Sequence, residues 1–290
     1  MIQADSDNED SPQDLHKELQ ELEARLGEEP SNRRLCWDVS LTLGAIYVQG
    51  MTGEIKGVKS DIDLESLGER AIQAAKRVVE VCPESPHSYT SLASFLLMRM
   101  LLPELLDWSR LPPDEQIAKA PELEVFPMSP EMFELYEKAL EVDPKDCIHI
   151  SLLVSYCLTH GRYERAAELI DHAVSVEGIN SREAGLYTAR IERGKGNYDL
   201  AIEQFRELFG NDQVFSDHEC DLIETHRLAG RFEEMLNLAE ATIKQCSNTA
   251  NVYCSLAKFY ESQGRSEEAS ATHRTYCELV NENLKSLWLN

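Results

Sequence analysis

Basic side chains are scarce in this 290-residue chain: 28 lysines and arginines stand against 52 aspartates and glutamates, a formal net charge of −24. Such a field repels nucleic-acid backbones and anionic membrane surfaces unless the cations gather into one patch, and the sequence holds no such patch. Long apolar runs are also missing. The longest, Leu92 to Leu106, is broken by Arg99, Pro103 and Glu104 and falls short of the roughly 20 residues a membrane helix needs. Met1 to Asp10 has neither the cationic start nor the apolar core of a secretory leader. The eight cysteines, at 36, 82, 147, 157, 220, 246, 254 and 277, form no C-x-x-C pair, a spacing that points to reduced thiols in a chain long enough to need no staples. A soluble cytoplasmic protein is expected, with the nucleus left open. Its 42% hydrophobic content supplies a core and excludes global disorder; only residues 1–11 read as an acidic disordered tail.

Catalytic signatures are equally absent. There is no glycine-rich phosphate cradle, G-x-S-x-G elbow, kinase set or H-E-x-x-H helix. His218, Glu219 and Cys220 with His226 offer ligand types at a spacing that matches no recognised zinc site. Cys157 and His160 could be a nucleophile and base, but no orienting carboxylate is evident, and a packed helix end gives the same pair. His87, His149 and His172 stand singly. The expectation is no catalysis, no cofactor and no metal.

What the chain does contain is a repeat. Gly161, Gly196, Gly230 and Gly264 recur at intervals of 35, 34 and 34 residues, each followed by Arg or Asn, then by Glu or Asp at the third place. Ala166, Ala201, Met235 and Ala269 come five residues after them. Around each glycine the sequence reads as two amphipathic helices of about 14 residues. The glycine ends the first helix, because the position after a helix end favours a left-handed backbone. The small residue one turn into the second helix lets the two axes approach. Ahead of the glycines, Ile150, Leu153, Val154 and Cys157, then Ala184, Tyr187 and Ile191, then Leu222 and Ile223, then Tyr253, Leu256, Ala257 and Tyr260 form the buried stripes of the first helices.

This pattern resembles the tetratricopeptide repeat (TPR) family, whose unit is a 34-residue helix-turn-helix. Upstream the resemblance is interrupted. Leu43, Gly44 and Tyr47 match the family's L-G-x-x-Y, and Ala71 and Ala75 before Cys82 and Pro83 resemble its second helix, with about 15 extra residues between them. Tyr89, Leu92, Ala93 and Leu96 resemble another first helix and Tyr136 and Ala139 its partner, with about 27 extra residues between. Six repeats are expected, from about residues 37, 86, 147, 181, 216 and 250. The fold class implied is all-α, a right-handed TPR-type α-solenoid. Its parts are a capping helix and linker at 12–36, two divergent repeats over 37–146, four regular repeats over 147–283 and a tail at 284–290.

Ser11 and Pro12 start the capping helix, and Leu15, Leu19, Leu22 and Leu26 share one face that either packs on the solenoid or forms a coiled-coil seam for a partner. The first insertion, Gly50 to Asp61, reads as a mobile loop. The second, about Leu101 to Ser129, is Pro-rich yet apolar; it either folds back over the solenoid or offers Trp108 and Phe126 to a partner. No separate C-terminal capping helix is visible, so the last helix and its tail must do that job, unless Leu287 and Trp288 dock on another copy.

The resemblance implies binding of a protein partner, as a peptide or helix, in a groove lined by first-helix positions 2, 5, 9, 12 and 13. Those offsets give Leu41, Ala45 and Val48; Thr90, Ser94, Leu97 and Met98; Ile148, Ser151, Ser155 and Leu158. Farther along come Arg182, Arg193, Arg227 and Lys258, against Glu192, Asp217, Glu224 and Glu261. Leu97, Met98, Ser151, Ser155, Arg182, Arg193, Arg227 and Lys258 are the candidate groove residues. The carboxylate clamp of heat-shock-protein tail binders is not matched, since its places hold Leu41, Ala45, Ser91, Ile148 and Leu152. The expected function is a non-catalytic scaffold or adaptor. A structural subunit whose groove is filled by its own insertion is the alternative, and an RNA-binding helical-repeat protein is disfavoured by the charge. The oligomeric state is not read from the sequence.

Overall fold

The structure is a computed structural model that describes residues 12–55, 63–124, 128–145, 149–176, 178–209, 219–245 and 249–288. Among them lie fourteen helices and no strand. The chain divides into two compact units, one comprising Met1–Arg110 and Met128–Asp143, the other Leu111–Pro127 and Pro144–Asn290.

The first unit opens with α1 (Pro12–Glu28), which packs on α2 (Arg33–Ile55) through buried Leu19 and Leu22. Next, α2 pairs with α3 (Leu64–Val81), and α4 (Pro86–Ser109) pairs with α6 (Pro130–Val142). Local sequence sets the helix starts. The Asp63 carboxylate accepts from the Ser66 N–H at 3.1 Å, the Ser129 hydroxyl accepts from the Met132 N–H at 3.2 Å, and Pro86 and Pro130 take the first helical positions, where a missing N–H costs nothing.

Both first helices are long. α2 continues through Gly50–Ile55, so that part of the expected loop is helical, while the rest of the Gly50 to Asp61 expectation lies outside the described residues. α4 continues through Pro103 to Ser109, and Trp108, Leu102 and Leu105 are almost wholly buried. Trp108 is therefore a core residue, not an exposed anchor; Phe126 lies outside the described residues. By length and composition α4 is the one described helix apolar enough to cross a membrane, with a third of that stretch buried, and it packs against α2, α3 and α6. Close approach of helices explains Gly44: a Cβ there would sit 2.2 Å from the Phe95 ring of α4.

The second unit holds four hairpins in chain order. These are α7 (Ile150–Thr159) with α8 (Tyr163–Ser175), α9 (Ser181–Gly194) with α10 (Tyr198–Phe209), α11 (Glu219–Leu228) with α12 (Phe232–Gln245), and α13 (Ala250–Ser262) with α14 (Ser266–Trp288). Their turns are copies of one another. Gly161, Gly196, Gly230 and Gly264 have φ of 67°, 84°, 73° and 70°. The N–H after each glycine donates back to a carbonyl five residues earlier, Arg162 to Cys157 at 2.7 Å, and Asn197 to Glu192, Arg231 to His226 and Arg265 to Tyr260 at 2.9 Å. Each glycine N–H donates to the carbonyl three residues before it. This is the Schellman arrangement, which satisfies carbonyls that a helix end would otherwise leave bare.

The expected stripes are the core. Ile150, Leu153, Val154, Cys157, Tyr187, Ile191, Leu222, Ile223, Leu256 and Ala257 are buried, whereas Ala184, Tyr253 and Tyr260 are half-buried at the margin. Ala166, Ala201 and Met235 have no accessible surface, and successive hairpins share core clusters such as Leu186, Ala201, Phe205 and Leu222. Burying a side chain of this kind stabilises by about 1.5 to 3 kcal/mol, so stacking of neighbours, more than helix propensity, holds the array.

The helix that breaks this order is α5 (Pro113–Glu124), the fifth in the chain, which belongs to the second unit although the chain on both sides of it belongs to the first. It packs against α14. Pro113 with Asp114 and Glu115 in the first turn is a favourable helix start. The insertion thus supplies a helix that covers the last repeat, a role the sequence reading had given to α14 and the tail.

Candidate functional site

The first helices of the second unit carry a ladder of charges from repeat to repeat. On α9, Arg190 and Arg193 are one turn apart, and both reach Asp221 of α11. Arg190 donates to Asp221 Oδ2 at 3.0 Å from Nε and at 2.6 Å from Nη2, and Arg193 Nη1 donates to Oδ1 at 2.8 Å and to the Asp221 carbonyl at 3.2 Å. One turn farther along α11, Arg227 grips Glu224 with two bonds of 2.8 and 2.7 Å, and the Ser255 hydroxyl of α13 donates to the same carboxylate at 2.8 Å. Lys258 adds attraction from α13. Burial works to raise the Glu224 carboxyl, but the bonds from Arg227 and Ser255 outweigh it and hold the group below its ordinary value. Beside the ladder, Ser151 of α7 hydrogen-bonds Tyr187 of α9.

Two candidate groove cations are thereby committed inside the protein. Arg193 and Arg227 keep about a fifth of their side chains exposed, and each is tied to a carboxylate. They were expected to be open to a partner; instead they bind one repeat to the next or brace their own helix. The spacing rule missed the reason, because Arg190 and Asp221 fall outside the five groove offsets. The signal was present as two arginines at i and i+3 on α9 and an acidic cluster about one repeat later.

Of the remaining candidates, Ser155 on α7, Arg182 on α9 and Lys258 on α13 are exposed. Beside them, outside the candidate set, Leu152, 41% exposed, and Thr159 lie on α7, Thr188 on α9 and Asn251 on α13. Ser151 and Leu158 are half-buried, as are Leu97 and Met98 on α4 in the first unit, where Ser94 bonds the Tyr136 hydroxyl and the Thr90 carbonyl. Leu41, at 53%, is the most exposed of the large apolar residues of the described chain. Ile148 and Asp217 lie outside the described residues.

The weak chemical constellations are accounted for locally. Cys157 is fully buried, while His160 donates from Nδ1 to the Tyr156 carbonyl at 2.9 Å and stacks on the Tyr156 ring. His172 donates to the Pro144 carbonyl at 2.7 Å, His149 sits at the start of α7, and His87 is exposed. No group of three or more metal-ligating side chains occurs among the described residues, to which His218 does not belong. His226 is buried, and burial pushes its pKa down. Glu219 is pushed up to about 7 by burial, and its Oε2 finds no hydrogen-bond partner among the described residues.

The second unit also holds a cleft of about 920 Å³. Asp114, Ile117 and Ala118 of α5 form one wall, Ala257 and Glu261 of α13 another, and α14 from Ser266 to Glu278 the third. Its lining is mixed, with Ala257, Ala269 and Cys277 beside Asp114, Glu261, Glu278, His273 and Arg274.

The fold has a solved counterpart. A crystal structure of a tetratricopeptide repeat protein from Parabacteroides merdae ATCC 43184 superposes with a TM-score of 0.54, at 14% identity, over 95% of this chain and 99% of that one. This chain has the tetratricopeptide-repeat fold, an all-α solenoid of helix-turn-helix units. No protein-family profile and no curated protein sequence matches it. The two results agree physically, since the repeat asks only for small, apolar and glycine positions at fixed offsets and lets the rest of the sequence drift.

Proposed function

We propose that this protein is a non-catalytic, cytoplasmic scaffold that holds a protein partner, as a peptide or helix, along the first helices of its second unit. A helical-repeat array suits protein interaction by its extended surface. The observation that supports the finer reading is the exposure of Leu152, Ser155, Arg182 and Lys258 on the first helices α7, α9 and α13, none of which takes part in the ion pairs that use Arg193 and Arg227. Leu152 gives an apolar contact, and Arg182 and Lys258 offer charge to an acidic group of the partner. Commitment of Arg190, Arg193 and Arg227 to carboxylates within the protein speaks against an RNA-binding surface.

The test uses the full chain with Leu152→Asp and Lys258→Glu together. Exposed substitutions of this kind shift stability by about 0.5 kcal/mol or less, while loss of interface contacts weakens capture by about thirtyfold. A partner retained by the parent protein and lost by the variant, at unchanged melting, supports the reading. Equal capture by both overturns it. Reversing Arg193 or Arg227 would not test the groove, because a carboxylate there would face Asp221 or Glu224 and report on folding.

A further inference from the structure

The four turns of the second unit are copies in backbone but not in the residue each one closes over. The carbonyl that receives the N–H after the glycine belongs to Cys157, Glu192, His226 and Tyr260 in succession. The thiol and the phenol are neutral already near pH 7. Glu192 is half-buried, and the bond from Asn197, with Lys195 beside it, holds its carboxyl below the ordinary value, so it stays ionised. His226 is 2% exposed, and its Nδ1 is buried with no hydrogen-bond partner among the described residues. Of these four side chains it alone can gain a proton between about pH 7 and pH 5.5.

The closed site is hostile to that proton. Burial strips water from the ring and pushes its pKa down. Among the charged groups of the described elements around α11, Arg206 of α10 and Arg231 of the turn repel an imidazolium and Glu234 of α12 attracts it; none of α9 or α13 acts on the ring. Arg231 is itself paired with Asp199, and Glu234 is exposed, where water screens its pull. The least costly way to charge the ring is to give it water, by undoing the helix end beside it. There the N–H groups of Ala229, Gly230 and Arg231 donate to the carbonyls of Thr225, Arg227 and His226 at 2.9, 3.2 and 2.9 Å. His160, beside the first turn, differs in that it is exposed and already donates to the Tyr156 carbonyl, so a further proton there meets solvent.

We propose that the third turn is an acid-operated latch: protonation of His226 opens the C-terminal end of α11 and the turn into α12, while the three sister turns stay closed. The segment that opens carries Arg227 and the exposed Leu228, so acid alters the first-helix face of this one hairpin. The latch works whether or not a partner binds there, and it goes beyond the groove reading. Glu219, at the other end of the same helix and about two turns away, limits the motion. The fold raises the proton affinity of its buried carboxyl, so acid tightens that end and the opening stays local.

The experiment follows amide hydrogen exchange of the full chain at about pH 7 and about pH 5.5. Each amide is expressed as protection relative to an unstructured peptide of the same sequence, which removes the pH dependence of exchange itself. With an ordinary value of 6.5 in the open form and no proton on the ring in the closed one, protection of the Gly230 and Arg231 amides should fall by about eightfold. The amides of Gly161 and Arg162, of Gly196 and Asn197, and of Gly264 and Arg265 should not change, and they serve as controls inside one molecule. His226→Gln cannot gain a proton and should hold its protection level. Because an amide in this buried place could unfold the hairpin, His226→Phe is the second variant. A fall confined to the third turn of the parent, and absent from whichever variant folds, supports the latch; if neither variant folds, the comparison of the four parent turns decides. An equal fall in all four turns marks global unfolding and overturns it. So does unchanged or increased protection at Gly230 and Arg231, or a fall that persists in a folded variant.

Discussion

The two units use the same hairpin and hold it together by different means. In the first, α2 and α4 run for 23 and 24 residues, and apolar contact dominates, with glycine serving close approach, as where Gly44 meets Phe95. Its ion pairs are peripheral: Arg70 to Glu23, at 2.6 Å, leaves both side chains more than 40% exposed. In the second, the first helices run for 10 to 14 residues, four turn glycines serve positive φ, and half-buried ion pairs link repeat to repeat. Lengthening a helix adds apolar area inside one hairpin; keeping it short and regular lets one set of polar contacts join α9, α11 and α13.

The largest effect that would sharpen this contrast comes from Asp221→Ala. It strands Arg190 and Arg193 in a half-buried setting, and a loss of about 2 to 3 kcal/mol is expected by denaturant unfolding. The exposed counterpart Glu23→Ala should cost no more than about 0.5 kcal/mol. Equal costs would break the distinction.

Smaller effects separate the two uses of glycine. Gly44→Ala forces a Cβ into the Phe95 ring and should cost about 2 kcal/mol, relieved by a second change of Phe95→Leu. Gly230→Ala meets no neighbouring atom within 4 Å, yet its φ of 73° makes it cost about 1 kcal/mol. Asparagine, which tolerates that backbone, should recover much of the loss at 230 and none at 44. Thermal melting of the five variants decides it.

A further effect is a pH dependence in the second unit. The Glu219 carboxyl, at about 7 against an ordinary 4.5, binds its proton more tightly folded than unfolded. Its contribution is therefore complete below about 4.5 and is lost as pH rises to 7. His226, lowered from 6.5 by burial, works oppositely: the fold holds it neutral, so stability falls as pH drops below 6.5. Glu219→Gln should flatten the decline between pH 4.5 and 7 in unfolding measurements, and an unchanged slope would remove Glu219 from the account.

Much of this architecture was legible in local sequence. Four glycines in register announced four Schellman turns, because a left-handed backbone is a property of one residue and needs no distant partner. The stripes ahead of them announced the core, since a period of 3.6 puts those residues on one face whatever the neighbouring helix is. Two things were not legible. That Arg193 and Arg227 are committed depends on Asp221, Glu224 and Ser255, two of which sit about one repeat away in sequence and adjacent only after stacking. That α5 lies on α14 joins residues about 150 apart, and nothing in a Pro-rich apolar insertion states where it lands. Backbone preference and amphipathic period are local quantities, so the sequence by itself determined the hairpins, their turns and their buried faces. Partner choice among charges, and the seat of an inserted helix, are differences between competing contacts, and only the assembled tertiary structure decided them.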